Sequence, residues 1–288
     1  MNVARRPEEL PAVERAIALG SFDGVHMGHR RVLEAAQTAG LTTTVVTFWP
    51  HPRTVLGNRV ELLTTLDRRL ELLAERGMDE VLVVEFTSEL AQLEPREFAE
   101  SLLRRIGARV VAVGANFRFG RGAAGTPALF DELGFDLRPV PIVEGVSSTQ
   151  IRQLLRAGDV EGAAKLLGRP AEVEGVVVLG DQRGGTLGYP TANLDAPADV
   201  IVPAYGIYAG AALGHRAAVS IGVNPHYGGS ERRIEPYLLD FDGDLYGKRL
   251  IVELWRRLRD ERAFDSEEDL VTQMARDVEA TRAAERPV

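Results

Sequence analysis

The stretch Ala16-Ile17-Ala18-Leu19-Gly20-Ser21-Phe22-Asp23-Gly24-Val25-His26-Met27-Gly28-His29 decides the class of the first half of the chain. Four apolar residues run into a glycine-rich turn, and an amphipathic segment, His29–Thr38, follows at once. That order reads as strand, turn, helix. In an open α/β sheet, ligands bind at the carboxyl ends of strands. Glycines there let the backbone approach a phosphate closely, and the helix N-terminus adds unpaired N–H groups and positive potential. His26 and His29 lie three apart, so both rings lean toward one point at the helix start. Two imidazoles in that place suit the charge that develops as a phosphoanhydride breaks. Taken alone, the segment also reads as a plain strand–turn–helix corner with two surface histidines.

Outward from the turn the alternation continues. Thr42–Phe48, Glu80–Phe86 and Arg109–Val113 have strand composition, while Leu66–Arg76 and Pro95–Ile106 have helical periodicity, the latter with proline in its first turn. This pattern predicts a doubly wound, Rossmann-like α/β domain. Two further helices are expected at Ser148–Arg156 and Val160–Leu167, stopped by Gly158 and by Gly168-Arg169-Pro170. The domain boundary is placed there, giving domains of residues 1–170 and 171–288. Beyond it Glu172–Leu179, Gly206–Leu213, Arg216–Gly222, Arg233–Phe241 and Arg249–Leu258 are strand-like, with no helix until one starting at Ser266. Successive strands without crossover helices predict a small antiparallel β-barrel followed by a C-terminal helix.

The 288 residues carry a net charge of −8, which argues against a polynucleotide partner but leaves room for a small phosphorylated ligand bound by a few local groups. The absence of cysteine excludes disulfides, thiolate metal sites and a cysteine nucleophile. No apolar run has the length of a membrane span, and the polar start MNVARRPEELPAVERAI lacks the apolar core of an export signal. A cytoplasmic protein with no membrane partner is expected.

Other segments carry polar or aromatic groups at the ends of expected strands and helices. Ser147 and Gln150 fit a capping box at the start of the helix that contains Arg152. Thr47-Phe48-Trp49-Pro50-His51-Pro52-Arg53 and Gly114-Ala115-Asn116-Phe117 offer flat apolar surfaces and an amide. In the second half, Gly180-Asp181-Gln182-Arg183-Gly184-Gly185-Thr186-Leu187-Gly188 suits a flap over phosphates. The following Tyr189-Pro190-Thr191-Ala192-Asn193 places a hydroxyl and an amide oxygen two residues apart, a hard-oxygen pair for Mg²⁺. Asp240, Asp242 and Asp244 lack the spacing and closing glutamate of a calcium loop and read as a strand end and turn.

His26-Met27-Gly28-His29 resembles the ATP motif of the HxGH nucleotidyltransferase superfamily, whose members transfer a nucleotidyl group from a nucleoside triphosphate to a small acceptor. Ser147 to Arg152 resembles that superfamily's late S-S/T-x-x-R-type element. The Thr47–Arg53 and Val113–Gly120 segments, and Leu187-Gly188-Tyr189-Pro190-Thr191-Ala192-Asn193-Leu194, are similar to motifs of bacterial bifunctional riboflavin kinase/FAD synthetases. The resemblance covers nearly the whole chain from about Ala16.

For the first domain it implies that His26, His29 and Arg152 are catalytic. It also implies that Gly20, Ser21, Phe22, Asp23, Gly28, Ser147, Ser148 and Thr149 bind ATP, and that Phe48, Pro50, His51 and Asn116 meet the flavin. For the second domain it implies ATP binding by Gly180, Arg183, Gly184, Gly188, Thr191 and Asn193, with Mg²⁺ on Thr191 and Asn193. Glu235 is then the base for the riboflavin 5′-hydroxyl, with Arg259 and Phe264 bordering the flavin. The implied substrates are riboflavin, FMN and ATP. Two departures from the family pattern bear on the kinase half: His226 follows Asn224-Pro225, and Pro236 follows Glu235. A proline cannot donate a ladder hydrogen bond, so its strand is expected to be perturbed or at an edge. A monofunctional FAD synthetase with a degenerate kinase domain, or a non-enzymatic flavin-binding regulator, are the alternatives.

Overall fold

The computed structural model describes residues 1–179, 188–223 and 232–288. Its contacts divide the chain into two compact units, Met1–Ser148 and Thr149–Val288.

The first unit contains six parallel strands, β1 (Asn2–Ala4), β2 (Arg15–Leu19), β3 (Thr42–Trp49), β4 (Glu80–Glu85), β5 (Ala108–Gly114) and β6 (Asp136–Val140), hydrogen-bonded in the order β1-β4-β3-β2-β5-β6. The helices are α1 (Met27–Gln37), α2 (Pro52–Val55), α3 (Leu66–Glu75), α4 (Ser88–Gln92), α5 (Pro95–Phe98) and α6 (Ala128–Glu132). The expected helix over Pro95–Ile106 is present but changes winding, because α5 passes into a π-helical stretch, Ala99–Arg104. Two apolar layers form the core. One contains Ile17, Leu19, Val46, Phe98 and Phe130, and the other contains Ala18, Val45, Leu73 and Val81. Neighbouring residues of β2 and β3 thus enter different layers, the period-two signature of strands buried on both faces. The central strand β2 ends at Leu19, so the turn at Gly20 opens from the middle of the sheet's carboxyl edge.

Helix α7 (Ser148–Ala157), whose first residue closes the first unit, leads into the second, followed by α8 (Val160–Leu167), which is ended by Gly168 at φ +66. Strands β7 (Ala171–Val178), β8 (Asn193–Asp195), β9 (Gly206–Ala212), β10 (His215–Val223), β11 (Arg232–Leu238) and β12 (Arg249–Arg259) follow in the antiparallel order β11-β10-β9-β12-β7-β8. Helix α9 (Glu267–Ala283) is capped by Ser266, whose side chain accepts from Asp269 N. The sheet is a nearly closed barrel: Ala192 N, just before β8, donates to Pro236 O of β11 at 3.0 Å. A strand residue's N and O point the same way, so the Pro236 nitrogen faces that seam and not β10. The proline therefore removes no hydrogen bond from the β10–β11 ladder, where it stands opposite Val219. β11 stops at Leu238, earlier than the expected Phe241, because the chain turns at Asp240 with φ +57.

Candidate functional sites

In the first unit the turn is held from beneath. The Asp23 carboxylate, 2% exposed, accepts from Leu63 N at 2.9 Å and from Thr64 N at 3.2 Å. Gly24 N donates to Thr64 Oγ1 at 3.2 Å, and Thr65 then caps α3. The 20–29 turn and the 63–65 segment are thereby joined side by side. Gly24 has φ +82, and a Cβ on it would lie 2.7 Å from Leu63 Cδ1. Gly24→Ala is expected to cost about 1–3 kcal/mol in the melting of this unit, through the left-handed backbone and the displaced leucine. An unchanged unfolding midpoint would contradict this.

His26 is the N-cap of α1. Its Nδ1 accepts from His29 N at 3.2 Å, so in the neutral ring the proton sits on Nε2, which becomes a donor. The two imidazoles stack with centroids 3.6 Å apart, and Phe22 meets His29 edge-on at 5.3 Å. Gly28 permits this: a Cβ there would lie 3.2 Å from His26 Cε1. His29 Nδ1 is buried and has no hydrogen-bond partner among the described residues. Burial holds His29 well below the ordinary imidazole value, and the neighbouring charges of His26 and Arg69 lower it further. The native ring thus binds fewer protons than the unfolded one. Its contribution to stability is present above the ordinary imidazole value near 6.5 and is lost as pH falls below it. Acidification through that range should lower the melting temperature of the parent more than that of His29→Asn; parallel curves would refute the assignment.

The other residues expected at this site take several roles. Ser21 O accepts from Thr47 Oγ1 at 3.0 Å, which fastens the turn to β3. Ser148 Oγ donates to Asp23 O at 3.1 Å, and Ser147 is exposed beside it. Thr149 and Arg152 belong to the second unit, where Arg152 is a buried residue of α7. Phe48 is packed in the core, edge-on to Phe86 at 5.7 Å, and so presents no open face. Pro50 follows it through a cis peptide bond, His51 caps α2 by accepting from Arg53 N at 3.2 Å, and Asn116 is exposed past the end of β5.

Sequence reasoning missed Arg69. It lies on the inward face of α3, fully buried, with Nη2 3.5 Å from Asp23 Oδ1 and its guanidinium 5.6 Å from the Trp49 ring centroid. The available signal was spacing: Leu66, Arg69 and Leu73 share one helix face.

In the second unit two cavities meet. One, of about 300 Å³, is lined by Thr191, Glu235, Tyr237, Arg259, Phe264 and Met274 among others. The other, of about 460 Å³, is lined by Pro190, Thr191, Phe241, Asp242, Asp244 and Tyr246 among others. Thr191 borders both. The first cavity brings together four residues singled out from sequence, Thr191, Glu235, Arg259 and Phe264. Glu235 stands opposite Ser220 across the β10–β11 ladder, is half-buried, and has Arg233 at 3.8 Å. Arg259 is fixed by a two-pronged pair with Asp277 of α9, at 3.1 and 2.7 Å, and its guanidinium lies 5.8 Å from the Phe264 ring centroid. Tyr189 meets Tyr237 edge-on at 5.5 Å. The wall supplied by α9, including Leu270, Met274 and Asp277, and the two tyrosines were not anticipated. Gly188, at φ +84, is exposed, and Asn193 opens β8 opposite Val178. Gly180, Arg183 and Gly184, and the departure at His226, lie outside the described residues.

Residues 10–152 match the FAD synthetase family, and residues 167–284 match the riboflavin kinase family. The bifunctional riboflavin kinase/FMN adenylyltransferase of Listeria monocytogenes is 34% identical, over 96% of this chain and 94% of its own length. That of Escherichia coli strain K12 is 36% identical over 96% and 93%. A crystal structure described as a macrolide-efflux protein from Streptococcus pneumoniae superposes with a TM-score of 0.87 at 32% identity, covering 97% of this chain and 98% of that one. Among the described residues of the present chain, no helix is long and apolar enough to cross a membrane.

Proposed function

The chain belongs to the bifunctional riboflavin kinase/FMN adenylyltransferase family, and from that premise we propose how its two halves divide the chemistry. Riboflavin is phosphorylated by ATP to FMN in the second half, and FMN is adenylylated by a second ATP to FAD in the first. The functional boundary is set at residues 170/171, at the Gly168-Arg169-Pro170 stop that follows α8. The site of synthesis is the cytoplasm, where ATP is available.

The observation that carries the kinase assignment is the position of Thr191 on the rim of both cavities, with Glu235 inside the smaller one. The smaller cavity, with its aromatic and arginine walls, takes the flavin, bordered by Arg259 and Phe264. The larger takes the nucleotide, with Gly180, Arg183, Gly184 and Gly188 over the phosphates. Acceptor and donor then meet at Thr191. Glu235 takes the proton of the 5′-hydroxyl as its oxygen bonds to the γ-phosphorus and the bond to the β-phosphate oxygen breaks.

The Thr191 hydroxyl and Asn193 amide oxygen flank Ala192, whose N–H is committed to Pro236. They form a hard-oxygen pair that suits Mg²⁺ when nucleotide phosphates and water complete the shell. Bound there, the ion supplies charge neutralisation on the phosphates.

In the first half, the FMN phosphate oxygen attacks the α-phosphorus of ATP and pyrophosphate leaves. FMN phosphate is ionised at neutral pH, so the step needs positioning and charge stabilisation more than a base. His26 and His29 provide the donors, with Arg152 and the helix start at Ser147, Ser148 and Thr149 assigned to the phosphates. Gly20, Ser21, Phe22 and Gly28 shape the backbone against ATP. Asp23 acts as a positioning residue through its bonds to the 63–64 segment. Pro50, His51 and Asn116 are assigned to the flavin side, with Phe48 supporting them from the core.

Separate incubations of riboflavin with ATP, and of FMN with ATP, each with Mg²⁺, test the division. Formation of FMN in the first and FAD in the second is expected, and both are expected to stop when EDTA is added. Absence of FMN in the first incubation would remove the kinase assignment.

A further inference from the structure

We propose that Arg69 is a positioning residue of the adenylyl-transfer site, acting on the 20–29 turn through Asp23 and through Trp49. The inference rests on assigning adenylyl transfer to the first unit. Arg69 is fully buried, and an arginine is kept in a protein interior only when its charge is paired and its stem is packed. Both conditions are met on the site's side of α3. Nη2 is 3.5 Å from Asp23 Oδ1, and the guanidinium lies over Trp49, the last residue of β3.

Asp23 is the residue whose carboxylate stitches the turn to Leu63 N and Thr64 N. A carboxylate 2% exposed that accepts backbone N–H groups is costly to bury unless an opposite charge pairs with it. Arg69 is that opposite charge. Remove the guanidinium and Asp23 loses the ion pair that keeps it in place against the 63–64 segment. The turn carrying both histidines then loses its floor.

A second consequence is electrostatic. The His29 ring stacks on His26 of its own helix cap and meets Phe22 edge-on, and the charges of His26 and of Arg69 on α3 act on it. The buried Arg69 cation adds to burial and to His26 in holding His29 below the ordinary imidazole value.

The test compares Arg69→Met and Arg69→Lys with the parent in the full-length enzyme. Three readouts are followed: FAD formation from FMN and ATP as a function of pH, the NMR titration of the His29 ring without ligand, and riboflavin phosphorylation as a control for folding. Arg69→Met is expected to lower kcat/KM for FAD formation about 100-fold, the scale of a misplaced reacting group, and to move the His29 titration toward the ordinary imidazole value. Arg69→Lys keeps the charge and should restore most of the rate and the low His29 titration. Phosphorylation should be unchanged in both.

An unchanged rate and an unchanged His29 titration in Arg69→Met would overturn the proposal. If the methionine variant does not fold, the lysine variant decides alone: a folded Arg69→Lys with a raised His29 titration contradicts the role of the charge, and a retained low titration supports it. A parent enzyme that forms no FAD would instead refute the adenylyl-transfer assignment on which the proposal rests.

Discussion

Glu235→Gln forms FMN from riboflavin and ATP about 10²–10⁴-fold more slowly than the parent, the range expected when a positioned general base is removed. It still forms FAD from supplied FMN. Glutamine keeps the shape and hydrogen-bonding length of the side chain, so the β10–β11 ladder opposite Ser220 is undisturbed. What disappears is the basicity of the carboxylate that takes the 5′-hydroxyl proton. The loss should therefore fall on kcat, while riboflavin binding, read from quenching of its fluorescence, changes little. Phosphorylation at the parental rate would exclude Glu235 as the base. Equal loss of both activities would show that the substitution acts through folding or that the division between the two halves is wrong.

His29→Ala gives the opposite result. FAD formation from FMN falls about 10²–10³-fold, the cost of removing one preorganised donor from a developing oxyanion, and riboflavin phosphorylation persists. The ring stacks on His26 at 3.6 Å and is flanked by Phe22, so its removal also frees His26 to leave the cap position. The expected signature is a fall in kcat/KM for both ATP and FMN. Assays at fixed FMN and varied ATP, with phosphorylation measured on the same preparation, check it. Parental adenylylation would mean that the pair does not meet the reacting phosphates.

Much of this was legible because the signals are local. The strand–turn–helix around Gly20 to His29 depends on adjacent residues alone, and the structure places α1 at Met27–Gln37 with His26 as its cap. Strands β2, β3, β4 and β5 are largely buried runs rich in apolar and β-branched residues, which composition identifies directly. The edge strands were harder to read. β6, Asp-Leu-Arg-Pro-Val, carries charges and a proline that an inner strand excludes, and β1 is three residues long. Their pairing is set by the sheet beside them. Pro236 alone suggested a strand perturbed or at an edge; β11 ends the hydrogen-bonded order, and the proline nitrogen faces the barrel seam.

The sites divide in the same way. Glu235, Thr191, Arg259 and Phe264 are far apart in sequence yet border one cavity, which no spacing rule predicts. Arg69 sits beside Arg68, and only the fold separates them: Arg68 pairs with Glu71 and Glu75 at the surface side, while Arg69 turns inward to Asp23. Asp277 is similar, a carboxylate on a charged helix whose partner, Arg259, comes from β12.

The central claim is that two ATP-dependent transfers of different kinds occur in this one chain. Routing of label tests it most directly, with riboflavin supplied together with ATP labelled at either the γ- or the α-phosphorus. The γ-label is expected first in FMN and then in FAD, with pyrophosphate also labelled. The α-label should enter FAD and never FMN. Appearance of α-label in FMN, or of FAD without a preceding pool of γ-labelled FMN, would contradict it.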